Sequence, residues 1–140
     1  METATRAEVG QVTMYPILGY RDLGAAIDWL CRVFGFEPLE VMRNEDGSYA
    51  HVELRLGAGV IMPTTTRDQT NPENPWEGPI RTQGLYVALD GVEAHYERAV
   101  AEGAEIVRPL ATTDWGSREY TARDLEGHLW AFGTYRPEAG

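Results

Sequence analysis

The chain has 140 residues, 43% hydrophobic and 24% charged, a length and composition typical of one globular domain rather than of a disordered chain. No apolar stretch reaches the ~18 residues that a membrane-spanning helix needs, so we expect no membrane partner. The formal net charge of −10 repels the phosphates of nucleic acids and of anionic lipids, which excludes both as natural partners. This charge favours a cationic ligand or simply solubility.

The single cysteine, Cys31, and the polar N-terminus together predict a cytoplasmic protein. One cysteine excludes an intrachain disulfide, which fits a reducing compartment. The first residues contain no apolar segment of a secretory signal. Cys31 lies in an apolar helical run, and this position indicates a packed side chain rather than a nucleophile.

The first half of the chain predicts a β-α-β-β-β order. Apolar residues recur at helical spacing after Asp22, and Gly35 ends that pattern. A second glycine-containing turn, around Gly57, separates two β-prone segments. The predicted elements are a strand at 12–20, a helix at 23–34, a strand at 36–43, a turn at 44–48, and a pair of strands within 49–62 joined by a turn at 56–59.

The second half repeats this plan. Asp90 opens a predicted helix that Gly103 ends, and a hairpin turns at Gly127. Superposing Gly57 on Gly127 relates the halves by 70 positions, 127 minus 57. The predicted elements are a strand at 84–89, a helix at 92–101, a strand at 104–107, a loop at 108–115, and hairpin strands at 117–123 and 129–135.

This repeat predicts a single α+β domain over residues 1–140. Module one covers about 11–62, a connector covers 63–83, and module two covers about 84–136. Two β-α-β-β-β modules are expected to pair into a half-open barrel with a central cleft and with helices outside. The connector is rich in Pro, Asn and Thr, which is typical of a functional loop or a disordered one. Its Trp76 is interpreted either as a lid or as a side chain packed against the body or a partner chain.

Two segments of this sequence resemble the vicinal oxygen chelate superfamily. The hairpin WGSREYTARDLEGHLWAFGTY at 115–135 resembles the C-terminal signature of that family, and YRDLGAAIDWLCRVFGFEP at 20–38 resembles its first strand and helix. The superfamily includes glyoxalase I, the extradiol dioxygenases, fosfomycin-resistance thiol transferases and bleomycin-resistance proteins. The resemblance covers nearly the whole chain and implies the paired-module fold.

The resemblance also implies where a metal would be held. Enzymes of the family bind one divalent metal through His, Glu or Gln at an inward position on the first and last strand of each module. None of the matching positions here carries such a residue, and a shift of one residue in either direction brings in none. We therefore expect no metal and no cofactor. The matching positions are Tyr15, Ile61, Leu85 and Ala131.

A polar face accompanies these positions. His51 shares strand parity with Tyr49 and Glu53, and we expect this face to point into the cleft with Tyr15 and Ile61. His51 and Glu119 are the candidate general bases, or the ligands of a weakly bound metal. The alternative is that the polar groups satisfy one another, with Glu53 and Arg123 as an ion pair. The counterparts in module two are Glu119, Thr121 and Arg123.

The aromatic residues divide between the core and the ligand. Trp130 and Phe132 have parity opposite to Ala131 and are expected under a helix. Trp115 is interpreted as a stacking group at the cleft mouth or as a cap on the barrel end or a dimer contact. His95 and His128 are expected to be solvated or packed. The predicted ligand-binding residues are Tyr15, Tyr49, His51, Ile61, Leu85, Trp115, Glu119, Thr121 and Ala131.

Three functions remain open at this stage. The resemblance to bleomycin-resistance proteins implies a metal-free dimer that sequesters an amphipathic or aromatic small molecule, such as an antibiotic, without altering it. A metal-dependent lyase, isomerase or dioxygenase with a site around His51, Glu53 and Glu119 is the alternative. Metal-free acid–base isomerisation by His51 or Glu119 is the third.

Overall fold

The computed structural model describes residues 15–68 and 84–137, and their elements group into two compact units. Within the described residues, unit 1 holds 15–23 and 36–68, and unit 2 holds 24–35 and 84–137. In this described part of the chain, each unit contains one four-stranded sheet and there are two helical segments, so the α+β class is confirmed. The strands are β1 (Ile17–Tyr20), β2 (Glu37–Arg43), β3 (Tyr49–Leu56), β4 (Gly59–Thr65), β5 (Gly84–Ala88), β6 (Glu105–Thr112), β7 (Arg118–Arg123) and β8 (Leu129–Gly133).

The sheet of unit 1 has the order β1-β4-β3-β2. β1 and β4 run parallel, and the other neighbours run antiparallel. One face of this sheet is apolar and buried, because alternate residues of each strand point to the same side. Its buried members are Leu18, Tyr20, Val52, Leu54 and Ile61.

The sheet of unit 2 has the corresponding order, β5-β8-β7-β6, with β5 and β8 parallel. Both helical segments belong largely to this unit: α1 (Leu23–Trp29) with the π-helical turn Leu30–Phe34, and α2 (Val92–Ala101). Phe34 joins the helical layer to the sheet, since its ring centroid lies 4.9 Å from that of Phe132 and 5.4 Å from that of Trp130. Trp130 and Phe132 are fully buried, which confirms their predicted place under a helix.

The first helix forms where the sequence predicts it. Leu23, Ala26, Leu30 and Phe34 are buried and recur every three or four residues. Gly35 ends the π-helical turn with φ +83°, and its N–H donates to the carbonyl of Leu30. A residue with a Cβ is strained in this left-handed conformation, which explains the glycine.

The second helix also has its predicted bounds, but its start differs. The residue before its first turn is Gly91, not Asp90, and no side chain caps it. The carboxylate of Asp90 instead accepts a hydrogen bond of 3.1 Å from Arg136. The exposed side chain of Asp90 thus pairs with a charged side chain and does not cap the helix.

Three turns share one backbone pattern. In each five-residue turn, at 44–48, 113–117 and 124–128, the first residue's N–H donates to the carbonyl of the fifth, and a glycine N–H donates back to the first. The fourth residue is glycine with positive φ in each turn. The turn at 44–48 confirms its prediction.

Several predicted boundaries were wrong. Among the described residues β1 begins at Ile17, and β8 ends at Gly133 rather than at Tyr135. β6 continues to Thr112, so residues 108–112 are strand and not loop; irregular register beside Arg108 breaks the alternation that the sequence would show. β4 continues to Thr65, so the connector does not begin at residue 63. The strand tolerates Pro63 because this residue pairs with Leu18 at a position where β1 does not need its N–H. Residues 12–14 of the first predicted strand lie outside the described residues.

Candidate functional site

The strands β3 and β4 of unit 1 pair over a short stretch only. Their ladder has three registered pairs, Leu54 with Ile61, Arg55 with Val60 and Leu56 with Gly59. Both strands continue past it, β3 back to Tyr49 beside β2 and β4 on to Thr65 beside β1. The two strands therefore diverge inside one sheet.

A pocket of about 180 Å³ lies where they diverge. We call it the β3–β4 pocket. Residues 49–52 of one strand and 62–65 of the other supply most of its lining, and Ile17 and Leu23 close it. Its walls combine apolar side chains, such as Val52 and Met62, with the polar groups of Tyr49, His51, Thr64 and Thr65.

His51 and Glu53 form a hydrogen-bonded pair beside this pocket. The distance from His51 Nε2 to a Glu53 carboxylate oxygen is 2.8 Å. An ionised carboxylate only accepts hydrogen bonds, so Nε2 carries the proton and Nδ1 remains an acceptor when the ring is neutral. This arrangement fixes the tautomer of a histidine that lines the pocket.

Tyr49 is held at the edge of the same pocket. Arg43 donates a 2.9 Å hydrogen bond to its hydroxyl, and the guanidinium carbon lies 4.3 Å from the ring centroid. The phenol ring is therefore fixed by both contacts. The placement of Tyr49 and His51 on one face follows the sequence prediction.

Ile61 does not belong to that face, which corrects its predicted position. It lies opposite Leu54, is 5% exposed, and belongs to the buried apolar side. The turn between β3 and β4 has two residues, whereas the turn between β7 and β8 has five, and this odd difference moves the last strand to the other face. Counting back from the Leu54–Ile61 pair places Thr64, not Ile61, across from His51.

Leu85 is corrected for a similar reason. It pairs with Trp130, on the side of the sheet that the helices cover, while Tyr86 pairs with Ala131. The helices begin at Leu23 and Val92, an offset of 69 positions (92 minus 23), rather than the 70 that the hairpins suggested. A slip of one residue changes the face of every side chain in a strand.

The open face of the unit 2 sheet carries the other predicted residues. Glu119 lies opposite Gly133, and Thr121 lies opposite Ala131, so these side chains share a face as expected. The Tyr86 hydroxyl donates a 2.6 Å hydrogen bond to the carbonyl of Tyr135. Burial and the nearby Glu119 carboxylate raise the pKa of Tyr86, so its hydroxyl keeps its proton.

His95 is a packed histidine. Its Nε2 donates to the carbonyl of Phe34 at 2.8 Å, and its Nδ1 accepts from the Tyr120 hydroxyl at 2.6 Å. Burial lowers the pKa of His95, which favours the neutral ring that these two bonds require. His128 is buried as well. Of the two predicted alternatives, solvated or packed, both histidines are packed.

The remaining predicted residues are dispersed. Trp115 lies in the turn between β6 and β7 and is 68% exposed, and Tyr15 precedes β1 and is 45% exposed. Neither lines the β3–β4 pocket. The predicted Glu53–Arg123 ion pair is wrong, since Glu53 pairs with His51 and Arg123 pairs with Glu105 at 3.3 Å. Trp76 lies outside the described residues.

The described residues do not fit the family's metal. They contain no group of three or more His, Cys, Asp or Glu side chains arranged to hold a metal ion. With the faces corrected, the paired positions on first and last strands are Ile17 with Met62 and Tyr86 with Ala131. Aliphatic groups, a thioether and a protonated phenol are poor donors for the hard or borderline cations of this family.

Comparison with known proteins identifies the family. The model of the Glyoxalase/Bleomycin resistance protein/Dioxygenase superfamily matches residues 9–132. The chain belongs to this superfamily, as the hairpin and first-helix segments imply.

Three relatives show how far the similarity extends. TioX from Micromonospora sp. ML1 is 36% identical, with a TM-score of 0.74 over 89% of this chain and 100% of that chain. The Mycobacterium tuberculosis protein Rv0887c is 27% identical over 124 residues, 84% of this chain and 71% of that protein. The fosfomycin resistance protein FosX from Listeria monocytogenes is 13% identical with a TM-score of 0.60, covering 93% of this chain and 95% of FosX, and shows the fold alone. Among the described helices, none has the length and apolar character to cross a membrane.

Proposed function

We propose that this protein binds an amphipathic or aromatic small molecule in the β3–β4 pocket without the help of a metal. The observation that carries the proposal is the divergence of β3 and β4 after three pairs, with a cavity lined by both strands. Concave sites with apolar walls and a few fixed polar groups are the usual form of small-molecule sites. Members of this superfamily commonly bind small ligands and form dimers, and a dimer is proposed here on that basis.

The size of the pocket limits what it holds. Its volume of about 180 Å³ is below the ~300–1,000 Å³ of sites that enclose a drug-sized ligand. A ligand of one or two rings would fill it. A larger molecule, such as an antibiotic, would insert only one ring system and leave the rest outside.

The polar edge of the pocket selects among such ligands. Glu53 holds the proton on Nε2 of His51, so Nδ1 is the hydrogen-bond acceptor that this ring can offer to a ligand. Met62 and Val52 offer apolar contact on the adjoining walls. A flat ligand with a hydroxyl or N–H donor on its rim, such as a phenol, satisfies both features.

The test uses 2-naphthol, a two-ring phenol, and its fluorescence on titration with protein. We expect saturable binding that Thr64→Phe abolishes, because the larger side chain fills the pocket. Thr112→Phe, in β6 of unit 2, is the matched control and should bind like the parent protein. Equal binding by Thr64→Phe would overturn the proposal.

Metal-free acid–base catalysis is the second candidate, favoured by the His51–Glu53 pair itself. The carboxylate fixes the proton on Nε2, which leaves Nδ1 as the nitrogen that could take a proton from a bound substrate. Binding without reaction predicts that the ligand is recovered unaltered. Catalysis predicts a turnover that chelators do not affect and that His51→Gln eliminates.

Metal-dependent catalysis has weaker support, because the described residues bring no third protein donor beside His51 and Glu53. Equilibrium dialysis against Zn²⁺, Ni²⁺, Mn²⁺ and Fe²⁺ tests it directly. Substoichiometric metal in the parent protein and in His51→Ala agrees with metal-free binding. One ion per chain that His51→Ala abolishes would contradict it.

A further inference from the structure

Within residues 15–68 and 84–137, one carboxylate on the open face of the unit 2 sheet has no charge partner. Glu119 is half-buried, yet no ion pair or hydrogen bond joins its side chain to another described residue. Within the same described part of the chain, the other carboxylates that lack such contacts are all exposed to solvent. They are Glu40, Glu45, Glu97 and Asp114.

Glu119 is half-buried, and no described cation compensates its charge. A cation or hydrogen-bond donors stabilise a carboxylate that is partly withdrawn from water. The described residues contain no fully buried side-chain oxygen that lacks a partner, so the carboxylate of Glu119 still reaches solvent. A ligand can therefore approach it.

Gly133 shapes the space beneath this carboxylate. A Cβ on Gly133 would lie 2.5 Å from Cγ of Glu119 and 2.7 Å from the hydroxyl oxygen of Tyr86. The two side chains thus lie over the bare backbone of the opposite strand, one from β7 and one from β5. The absence of a side chain at residue 133 brings the carboxylate beside the phenol.

Tyr86 is available as an aromatic surface. Its hydroxyl proton is committed to the carbonyl of Tyr135, so it does not neutralise Glu119 by donating to it. The residue is 37% exposed. A carboxylate next to an exposed aromatic ring attracts a positively charged group through both ion pairing and cation–π contact.

We propose that Glu119 and Tyr86 bind an organic ammonium group. A metal ion is a poorer occupant, because one carboxylate supplies too few oxygen ligands. The net charge of −10 raises the local concentration of any cation. This site is separate from the β3–β4 pocket and does not depend on the function proposed for that pocket.

The experiment maps benzylammonium binding by ¹H–¹⁵N NMR at neutral pH, with benzyl alcohol as the neutral counterpart. Benzylammonium should shift the amides of Tyr86, Glu119 and Gly133, and benzyl alcohol should not. Glu119→Gln should weaken the affinity about five- to tenfold. Glu97→Gln, which removes one exposed carboxylate from α2, is the matched control and should change nothing.

Two variants separate the ring from the charge. Tyr86→Leu should weaken binding, whereas Tyr86→Phe should retain it, because Phe keeps the aromatic face. Equal affinity for benzyl alcohol, or equal loss in Glu97→Gln and Glu119→Gln, would overturn the proposal. A negative result here leaves the 2-naphthol titration unaffected, so the two proposals fail independently.

Discussion

The sheets of the two units have the same strand order but differ in the hairpin that ends each of them. In unit 2, β7 and β8 pair over five residues each, joined by a five-residue turn. In unit 1, β3 and β4 pair over three residues, joined by a turn of two. The longer ladder makes a continuous sheet, whereas the shorter one leaves room for a pocket. One topology thus supports a packed scaffold in one unit and a cavity in the other.

The helical segments sharpen this contrast. Residues 24–35 and α2 both belong to unit 2, where Phe34 and His95 pack on the sheet. Residues buried in this way contribute most of the stability of a domain. We therefore expect the largest losses of stability from substitutions in unit 2 and the clearest effects on ligand binding from substitutions in unit 1.

The largest expected effect is that of Phe34→Ala. The substitution removes a fully buried ring that contacts Trp130 and Phe132, and it should lower the free energy of unfolding by about 3–5 kcal/mol. Urea denaturation measures this loss. Leu39→Ala, at an exposed position of β2, is the control and should change it by less than about 1 kcal/mol. Similar losses in both variants would contradict the role assigned to the burial of the Phe34 ring.

Asp124→Ala should have the next largest effect. This buried carboxylate accepts hydrogen bonds from the Trp130 indole at 3.0 Å and from the amides of Glu126 and His128, also at 3.0 Å. Leaving these donors unsatisfied should cost about 2–3 kcal/mol in thermal or urea unfolding. Asp46→Ala, in the exposed turn of the same backbone pattern, should cost less. An equal loss in both variants would show that the turn, and not the burial of the carboxylate, determines the loss in the free energy of unfolding.

The pH dependence of stability tests the His95 contact. Burial holds the folded pKa of His95 below its ordinary 6.5, so the unfolded chain binds a proton more readily than the folded one. The free energy of unfolding should therefore fall as the pH drops below about 6.5. His95→Gln should show a shallower decline between pH 7.5 and 5.5, since glutamine can make both hydrogen bonds without titrating. An unchanged slope would contradict the assignment.

The smallest effect on stability is expected for Glu53→Gln. The His51–Glu53 pair is partly exposed, so its loss should change the free energy of unfolding by less than about 1 kcal/mol. The same change should weaken 2-naphthol binding, because the tautomer of His51 is no longer fixed. An unchanged affinity for 2-naphthol would contradict the role proposed for the His51–Glu53 pair.

The sequence predicted most of the fold because its signals were local. Helical spacing from Leu23 to Phe34 and the glycines at 35, 47 and 127 mark elements that the structure confirms. The alternation in β7 placed Glu119 and Thr121 on one face, and the alternation in β8 placed Trp130 and Phe132 on the other.

The candidate site was less predictable because it depends on register. The prediction placed Ile61 and Leu85 on the wrong face of their sheets. A single superposition of the two halves does not show that the β3–β4 and β7–β8 turns differ by three residues. It also does not show that the offset between the halves changes by one residue along the chain. The divergence of β3 and β4 has no signal of its own in residues 49–65. Thr64, Met62 and Gly133 were missed for this reason, although counting the two turns separately would have found the first two.

Amide chemical shifts of the ¹⁵N-labelled protein on titration with 2-naphthol test the proposed ligand site most directly. We expect saturable shifts concentrated at residues 49–52 and 62–65 of unit 1, which line the pocket. The amides of β7 and β8 in unit 2 should move little. Shifts concentrated in β7 and β8, or no saturable shift at residues 49–52 and 62–65, would contradict the assignment of the ligand site to the diverging strands.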